Sequence, residues 1–310
     1  MPPTHVRLNK YAVSSPADTS PLQALELQGI EASKIVAIVG KSEGNGCTND
    51  FSRTLSALVW EAAIPQTAVA VFSGGTEGVL CPHVTILSEE ENTGLITSVG
   101  KTRHLSPVEI GGPNQSRAVA LTVKRLMDES SLSPADVHLV LVKCPLLTST
   151  KMEKIRAVGL TPCTNDSYES MGKSRYASAV GIPAALDEIP HDAIDSAVRQ
   201  ENLWTAKASC SFMKDSIDAE AICKLLDVIK SKSGRVLQVF VKAEASPNGQ
   251  VRGNRHTMLT DSDLHSTRHA RAAVGGLVAG LTGDTQIYVS GGAEGQGPPG
   301  GGSLCMVYEV

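Results

Sequence analysis

An α/β fold written as three similar units of about a hundred residues is predicted for this 310-residue chain by three observations. First, three short apolar runs each end in a lysine: Ile35-Val36-Ala37-Ile38-Val39-Gly40-Lys41, Leu139-Val140-Leu141-Val142-Lys143 and Leu237-Gln238-Val239-Phe240-Val241-Lys242. Second, an arginine follows each lysine in a shared Ala- and Ser-rich setting, at Arg53, Arg175 and Arg268. Third, a serine closes each unit. Val71-Phe72-Ser73-Gly74-Gly75-Thr76-Glu77-Gly78 and Tyr288-Val289-Ser290-Gly291-Gly292-Ala293-Glu294-Gly295 nearly coincide, and Ala208-Ser209-Cys210-Ser211 is a weaker counterpart.

Each unit reads as a helix, a buried strand ending in lysine, a second helix carrying the arginine, and a strand ending at serine. Helical spacing of apolar residues places the first helices at Pro21 to Gln28, Ser116 to Glu129 (Val119, Val123, Leu126, Met127) and Ala219 to Lys230 (Ile222, Leu225, Leu226, Ile229). Asp218 is the expected cap of the last. Continuous apolar strands alternating with helices imply sheets covered on at least one face. Spacing sets the units at 1–107, 108–211 and 212–310.

The middle unit departs from the pattern. From Arg175 to Ser211 it is longer by about fifteen residues than its counterparts, Arg53 to Ser73 and Arg268 to Ser290. From Ser211 to Lys242 the chain is then short by about forty. The Gly-Gly-x-Glu turn and a further strand, present as Val84-Thr85-Ile86-Leu87 in the first unit and Leu304-Cys305-Met306-Val307-Tyr308 in the third, are missing after Ser211. The second unit is therefore expected to be truncated, lacking its C-terminal strand region.

An apolar content of 41% supports a sizeable core. With 19% charged residues, a net charge of -4 and no long basic run, there is no footprint for nucleic acid or an anionic membrane, so a small neutral or anionic ligand is expected. No secretory signal or membrane-spanning run is evident, and the seven scattered cysteines have no C-x-x-C pair, so a reducing cytoplasm is expected. Lys41-Ser42-Glu43-Gly44-Asn45-Gly46 lacks the upstream glycine of a phosphate loop, and His256, His265 and His269 lack metal-ligand spacing.

A serine hydroxyl becomes a nucleophile when a neighbouring base takes its proton, and a lysine serves once burial and nearby positive charge leave it a neutral amine. Arginine beside it disfavours the ammonium and holds substrate oxygens. Glycines after the serine let backbone N–H groups approach an oxyanion. Ordinarily a strand-end lysine is a solvated boundary residue and Ser-Gly-Gly a turn. Three copies in one order favour a shared ligand site of threefold pseudo-symmetry.

The stretches Gly40-Lys41-Ser42-Glu43-Gly44-Asn45-Gly46-Cys47, Phe72-Ser73-Gly74-Gly75-Thr76-Glu77-Gly78, Val142-Lys143-Cys144-Pro145-Leu146-Leu147, Tyr168-Glu169-Ser170-Met171-Gly172, Lys242-Ala243-Glu244-Ala245-Ser246-Pro247, Arg255-His256-Thr257-Met258-Leu259 and Val289-Ser290-Gly291-Gly292-Ala293-Glu294 resemble the cyanuric acid amidohydrolase and barbiturase family of ring-opening amidohydrolases. The resemblance implies three α/β units about a pseudo-threefold axis and a homotetramer. It implies Lys143 as general base and Ser211 as nucleophile of a Ser-Lys dyad. Arg53, Arg175 and Arg268 would grip ring oxygens, with Ser73, Gly74, Ser290, Gly291, Lys41 and Lys242 completing the cradle. It also implies no organic cofactor and a structural divalent cation, magnesium, held by Glu244 and the carbonyls of Ala293, Gln296, Gly297, Pro298 and Gly301. The expected reaction opens cyanuric acid to carboxybiuret. The alternatives are opening of barbituric acid to ureidomalonate and a truncated, inactive form that only binds the ring.

Overall fold

Branched apolar residues form strands at the lysine-ending runs of the first and third units, and helices follow them. The computed structural model describes residues 4–201, 203, 211–259 and 263–310. Along the chain the elements are β1 (Val6–Ala12), α1 (Ser20–Glu26), β2 (Ile35–Ser42), α2 (Phe51–Ala63), β3 (Val69–Gly74) and β4 (His83–Glu89). Four helices come next, α3 (Pro113–Glu129), α4 (Ser149–Ala157), α5 (Ser167–Ala185) and α6 (Ile194–Gln200). Then follow β5 (Ser211–Met213), α7 (Ala219–Ser231), β6 (Arg235–Ala243), the hairpin β7 (Gln250–Val251) and β8 (Asn254–Arg255), α8 (Ser266–Thr282), β9 (Tyr288–Gly291) and β10 (Gly302–Glu309).

The chain forms two compact units. One holds the described residues up to Val99, those from Ser211 to Ala293, and Gly297–Val310; the other holds those from Gly100 to Leu203 with Glu294–Gln296. The first is a two-sheet unit, with strand orders β1-β4-β2-β3 and β5-β10-β6-β9. The two sheets share one plan: β2 runs parallel to β3 and β6 parallel to β9, each pair joined through a helix, and β4 and β10 lie antiparallel on the other side of β2 and β6. Trp60, Leu25, Ile38, Val84 and Ile86 fill the core beside the first sheet. Ile222, Leu226, Val241, Val274, Val278 and Leu304 fill that beside the second.

Asp218 caps α7 as expected, its Oδ1 accepting the Ala221 N–H at 3.2 Å while Oδ2 accepts the Lys214 N–H at 2.8 Å. A polar bolt joins the two sheets: buried Gln238 of β6 donates from Nε2 to Thr85 Oγ1 of β4 at 2.7 Å and lies 3.2 Å from His83 Nε2. His83 Nδ1 is 2.8 Å from the Cys81 carbonyl, which can only accept. The imidazole is therefore neutral, with its proton on Nδ1. Burial first, and then the charges of Lys10 and Lys41, pull its pKa down to about 4 against the opposing bond to Cys81.

The other unit is helical, and among its described residues it contains no strand. α3 and α5 pack closely, with Ala120, Tyr176, Val180 and Ala184 between helices and with Ser116 Oγ donating to the Ala177 carbonyl at 2.6 Å. A Cβ on Gly181 would stand 2.4 Å from the Ser116 carbonyl, so this crossing requires glycine. The strand expected at Leu139–Lys143 does not form: residues 137–148 lie outside any strand. A strand needs a neighbour for its N–H and C=O groups, and no described residue of the helical unit forms a strand beside this run. The counterpart run Ala208-Ser209-Cys210 lies outside the described residues, and Ser211 begins β5 instead of ending a strand parallel to a lysine strand.

Two outcomes test these packing assignments. Asp218→Ala should lower the unfolding free energy by about 1 to 2 kcal/mol in a denaturant titration, with Asp218→Asn retaining most of it. Because the folded state holds His83 below its ordinary value of 6.5, its contribution to stability is complete above about pH 6.5 and fades as pH falls toward 4, at most roughly 3 kcal/mol. His83→Gln should flatten the dependence of the denaturation midpoint on pH over that window.

Candidate active site

Parallel pairing in register sets lysine opposite serine twice: Lys41 of β2 partners Ser73 of β3, and Lys242 of β6 partners Ser290 of β9. Residues paired across a parallel ladder point to the same face, so each amine meets a hydroxyl. Lys41 Nζ lies 3.2 Å from Ser73 Oγ and 2.9 Å from the Gly74 carbonyl, and Lys242 Nζ lies 3.0 Å from Ser290 Oγ. Lys41 is completely buried, whereas Lys242 is half-buried. Burial lowers the Lys41 pKa well below its ordinary value; Arg271 and Lys242 push the same way, and Glu77 and Asp50 oppose them. A neutral amine at this position is a proton acceptor for serine.

Close approach explains the glycines after each serine. The second glycine of each turn, Gly75 (φ 95°) or Gly292 (φ 79°), has left-handed backbone, and its N–H returns to the carbonyl of Ser42 or Ala243 at 2.9 Å. A Cβ on Gly74 would fall 1.7 Å from Asp50 Oδ2, and one on Gly291 would fall 2.6 Å from Arg271 Nη1.

The arginines divide into two kinds. Arg53, in the first turn of α2, donates from Nη2 to the Cys47 carbonyl at 3.1 Å, and Arg268, in the first turn of α8, has Nη2 3.7 Å from Cys47 Sγ. These two guanidiniums therefore converge on one loop, and Arg268 Nε is a buried donor with no hydrogen-bond partner among the described residues. Arg175, on α5 in the helical unit, is instead held bidentately by Glu294, at 2.8 Å from Nε and 2.6 Å from Nη2. Arg271 is held in the same way by Glu77 and is only 3% exposed.

Sequence reasoning did not assign Arg271, Glu77 or Glu294. The available signal was the acid repeated in Ser-Gly-Gly-x-Glu-Gly, together with the second arginine of Arg268-His269-Ala270-Arg271.

Lys143 and Ser211 fall in different compact units. Lys143 is exposed, and the segment after it is pinned to α5 by Cys144 Sγ, 3.3 Å from Ser178 Oγ, and by the Leu147 N–H, which donates to Ser170 Oγ at 3.0 Å. Ser211, half-buried, opens β5, which pairs antiparallel with β10 through Ser211 and Leu304.

The candidate cation ligands centre on Glu244, just after β6, whose Oε2 accepts the Ala293 N–H at 3.2 Å and whose Oε1 accepts the Gly300 N–H at 2.9 Å. The Pro298 carbonyl accepts the Gly301 N–H at 2.9 Å. Ala293, Gly297, Pro298 and Gly301 share the two-sheet unit with Glu244, while Gln296 is assigned to the other. One carboxylate with backbone carbonyls is an all-oxygen donor set, which fits a hard cation such as magnesium. No group of three or more His, Cys, Asp or Glu side chains suited to a metal occurs among the described residues, so a cation here would depend on the loop backbone.

Comparison with known proteins places this chain in a family. The model of the amidohydrolase ring-opening proteins matches residues 7–212 and 211–309. A cyanuric acid amidohydrolase of Sarocladium sp. is 53% identical over 336 positions, covering 98% of both chains, and one of Rhodococcus sp. is 47% identical, covering 96% of this chain and 94% of its own. Among solved structures, a cyanuric acid hydrolase described as an evolutionary innovation by structural concatenation superimposes with a TM-score of 0.89 at 38% identity, covering 99% of this chain and all of that one. The cyanuric acid hydrolase from A. caulinodans gives a TM-score of 0.88, also at 38% identity. No described helix is long and apolar enough to cross a membrane. With a mixed α/β fold, paired lysines and serines, and a family match along nearly its whole length, the chain belongs to the ring-opening amidohydrolases.

Proposed function

We propose that this protein hydrolyses cyanuric acid, opening the ring to carboxybiuret through a serine nucleophile with a lysine base, and that Ser73 and Lys41 form the working pair. The observation that carries the reading is the Lys41 amine, completely buried and 3.2 Å from Ser73 Oγ. Neutral Lys41 takes the Ser73 proton as Oγ attacks a ring carbonyl carbon. Arg268, with its unpartnered Nε, and Arg53 hold ring oxygens as negative charge develops. Collapse breaks the ring C–N bond, and the ammonium of Lys41 returns its proton to the leaving nitrogen. Lys41 then takes a proton from water, which attacks the acyl-serine and releases the carboxylate and free Ser73. Lys242, Ser290 and Gly291 line the second face of the cradle, and Ser73 and Gly74 the first.

A cation held by Glu244 and the carbonyls of Ala293, Gln296, Gly297, Pro298 and Gly301 would supply positive charge that fixes the loop before β10. The reading includes three repeats about a pseudo-threefold axis, the second shortened, and assembly as a homotetramer in the cytoplasm. Shortening is supported by the division of the family match at residues 211–212 and by an alignment of 336 positions against a chain of 310 residues.

A second reading keeps Lys143 as base and Ser211 as nucleophile, with Arg175 gripping the ring. It is favoured by the pinning of the Lys143 segment to the helix that carries Arg175.

Loss of cyanuric acid ultraviolet absorbance separates the readings. Ser73→Ala and Lys41→Ala should each lower kcat by at least about 10³-fold, while Ser211→Ala and Lys143→Ala remain within about tenfold of the parent. The reverse pattern overturns the Ser73 assignment in favour of Ser211. Binding of cyanuric acid by calorimetry with no turnover in the unsubstituted chain overturns ring opening altogether, and faster opening of barbituric acid overturns the substrate.

A further inference from the structure

The Arg271 guanidinium lies where three loops meet it with glycine alone. A Cβ added to Gly75 would stand 2.6 Å from Nη2, one on Gly291 2.6 Å from Nη1, and one on Gly46 3.0 Å from both. Those glycines belong to the turn after Ser73, the turn after Ser290 and the loop that carries Cys47. Glu77 fixes the guanidinium through Nε at 2.8 Å and through Nη2, which also donates to the Asn45 carbonyl at 3.4 Å. A Cβ on Gly46 would also stand 3.0 Å from the Gly74 carbonyl, the acceptor of Lys41 Nζ. Among the charges that bear on the Lys41 amine, that of Arg271 weighs most.

We propose that Arg271, clasped by Glu77, is a positioning residue for ring opening, tying both Ser-Gly-Gly turns and the Asn45-Gly46 loop into one frame around the Lys41–Ser73 pair. Arg271 is thereby separated in role from Arg268, three residues earlier on the same helix, whose Nε is buried without a hydrogen-bond partner among the described residues. The inference rests on the reading of Lys41 as the base. Its chemistry is that of a buried ion pair that would be costly to break from one side, because the surviving charge would be stranded. It is retained where small residues make room for it at two serine turns.

Charged and titratable groups around Lys41 come from every side of this frame: Arg271 on α8, Glu77 after β3, Lys242 on β6, Asp50 before α2 and His83 on β4. Burial weighs most on the amine and Arg271 next, ahead of the opposing Glu77. Removing Arg271 and Glu77 together therefore leaves the ammonium better tolerated, and a higher pH is needed to free the base.

The test compares Arg271→Gln/Glu77→Gln, which keeps hydrogen-bonding groups and strands no charge, with Arg271→Lys, which keeps the charge and loses the fork. In the double variant the acidic limb of the kcat/KM profile should move to higher pH, with activity lost below the limb and KM above the limb within about threefold. In Arg271→Lys the limb should stay in place while kcat falls. A double variant that folds, by circular dichroism and melting, with its limb unmoved overturns the proposal and leaves Arg271 a structural ion pair. The lysine Nζ resonance of Lys41, assigned by its loss in Lys41→Gln and titrated by ¹⁵N NMR, reads the same shift without turnover. Absence of turnover in the unsubstituted chain overturns the proposed function, whereas an unmoved Nζ titration overturns the role of Arg271.

Discussion

The site depends on parallel pairing between a strand that ends in lysine and a strand that ends in serine. Parallel neighbours in one sheet need a crossover, supplied here by α2 between β2 and β3 and by α8 between β6 and β9. Register then leaves no freedom: a slip by one residue would turn Lys41 or Ser73 to the opposite face. Apolar side chains on the same strands, Ile38 and Phe72 in one sheet and Val241 and Val289 in the other, are buried and hold that register. The core thereby sets the distance between amine and hydroxyl, and the helix that makes the crossover brings its arginine to the same end of the sheet.

Burying an ammonium is expensive unless it is paired, and a lysine answers by giving up its proton. In the proposed mechanism the cost of burying Lys41 becomes the chemistry, because a neutral amine is the state that serves a serine nucleophile. Each unit also matches a guanidinium with a carboxylate. Arg271 is matched by Glu77 in the two-sheet unit and Arg175 by Glu294 in the helical one, each as a two-pronged contact. Both acids occupy the same place in the repeated turn, so one sequence device serves twice.

Much of this was legible because it is local. The lysine- and serine-ending strands of the first and third units, the helix starting after Asp218, and the glycines of the serine turns follow from runs, caps and backbone constraints within a few residues. What depended on a distant partner was not. Leu139–Lys143 has the composition of a buried strand, yet strand formation requires a neighbouring chain segment, and no described residue of the helical unit supplies one. Ser211 looked like the end of a repeat and opens a strand that pairs with β10, far away in sequence. Arg271 is separated from Glu77 by more than half the chain, and spacing within one repeat gives no reason to prefer it over Arg268 as the buried member.

In the proposed mechanism the in-register pair at the end of the first sheet makes the covalent bond to the ring. Acid quenching of the protein during turnover of cyanuric acid, followed by protease digestion and mass spectrometry, locates the acyl group directly. An adduct of the mass of cyanuric acid is expected on the peptide containing Ser73. The same adduct on the peptide containing Ser211, with Ser73 unmodified, would contradict it.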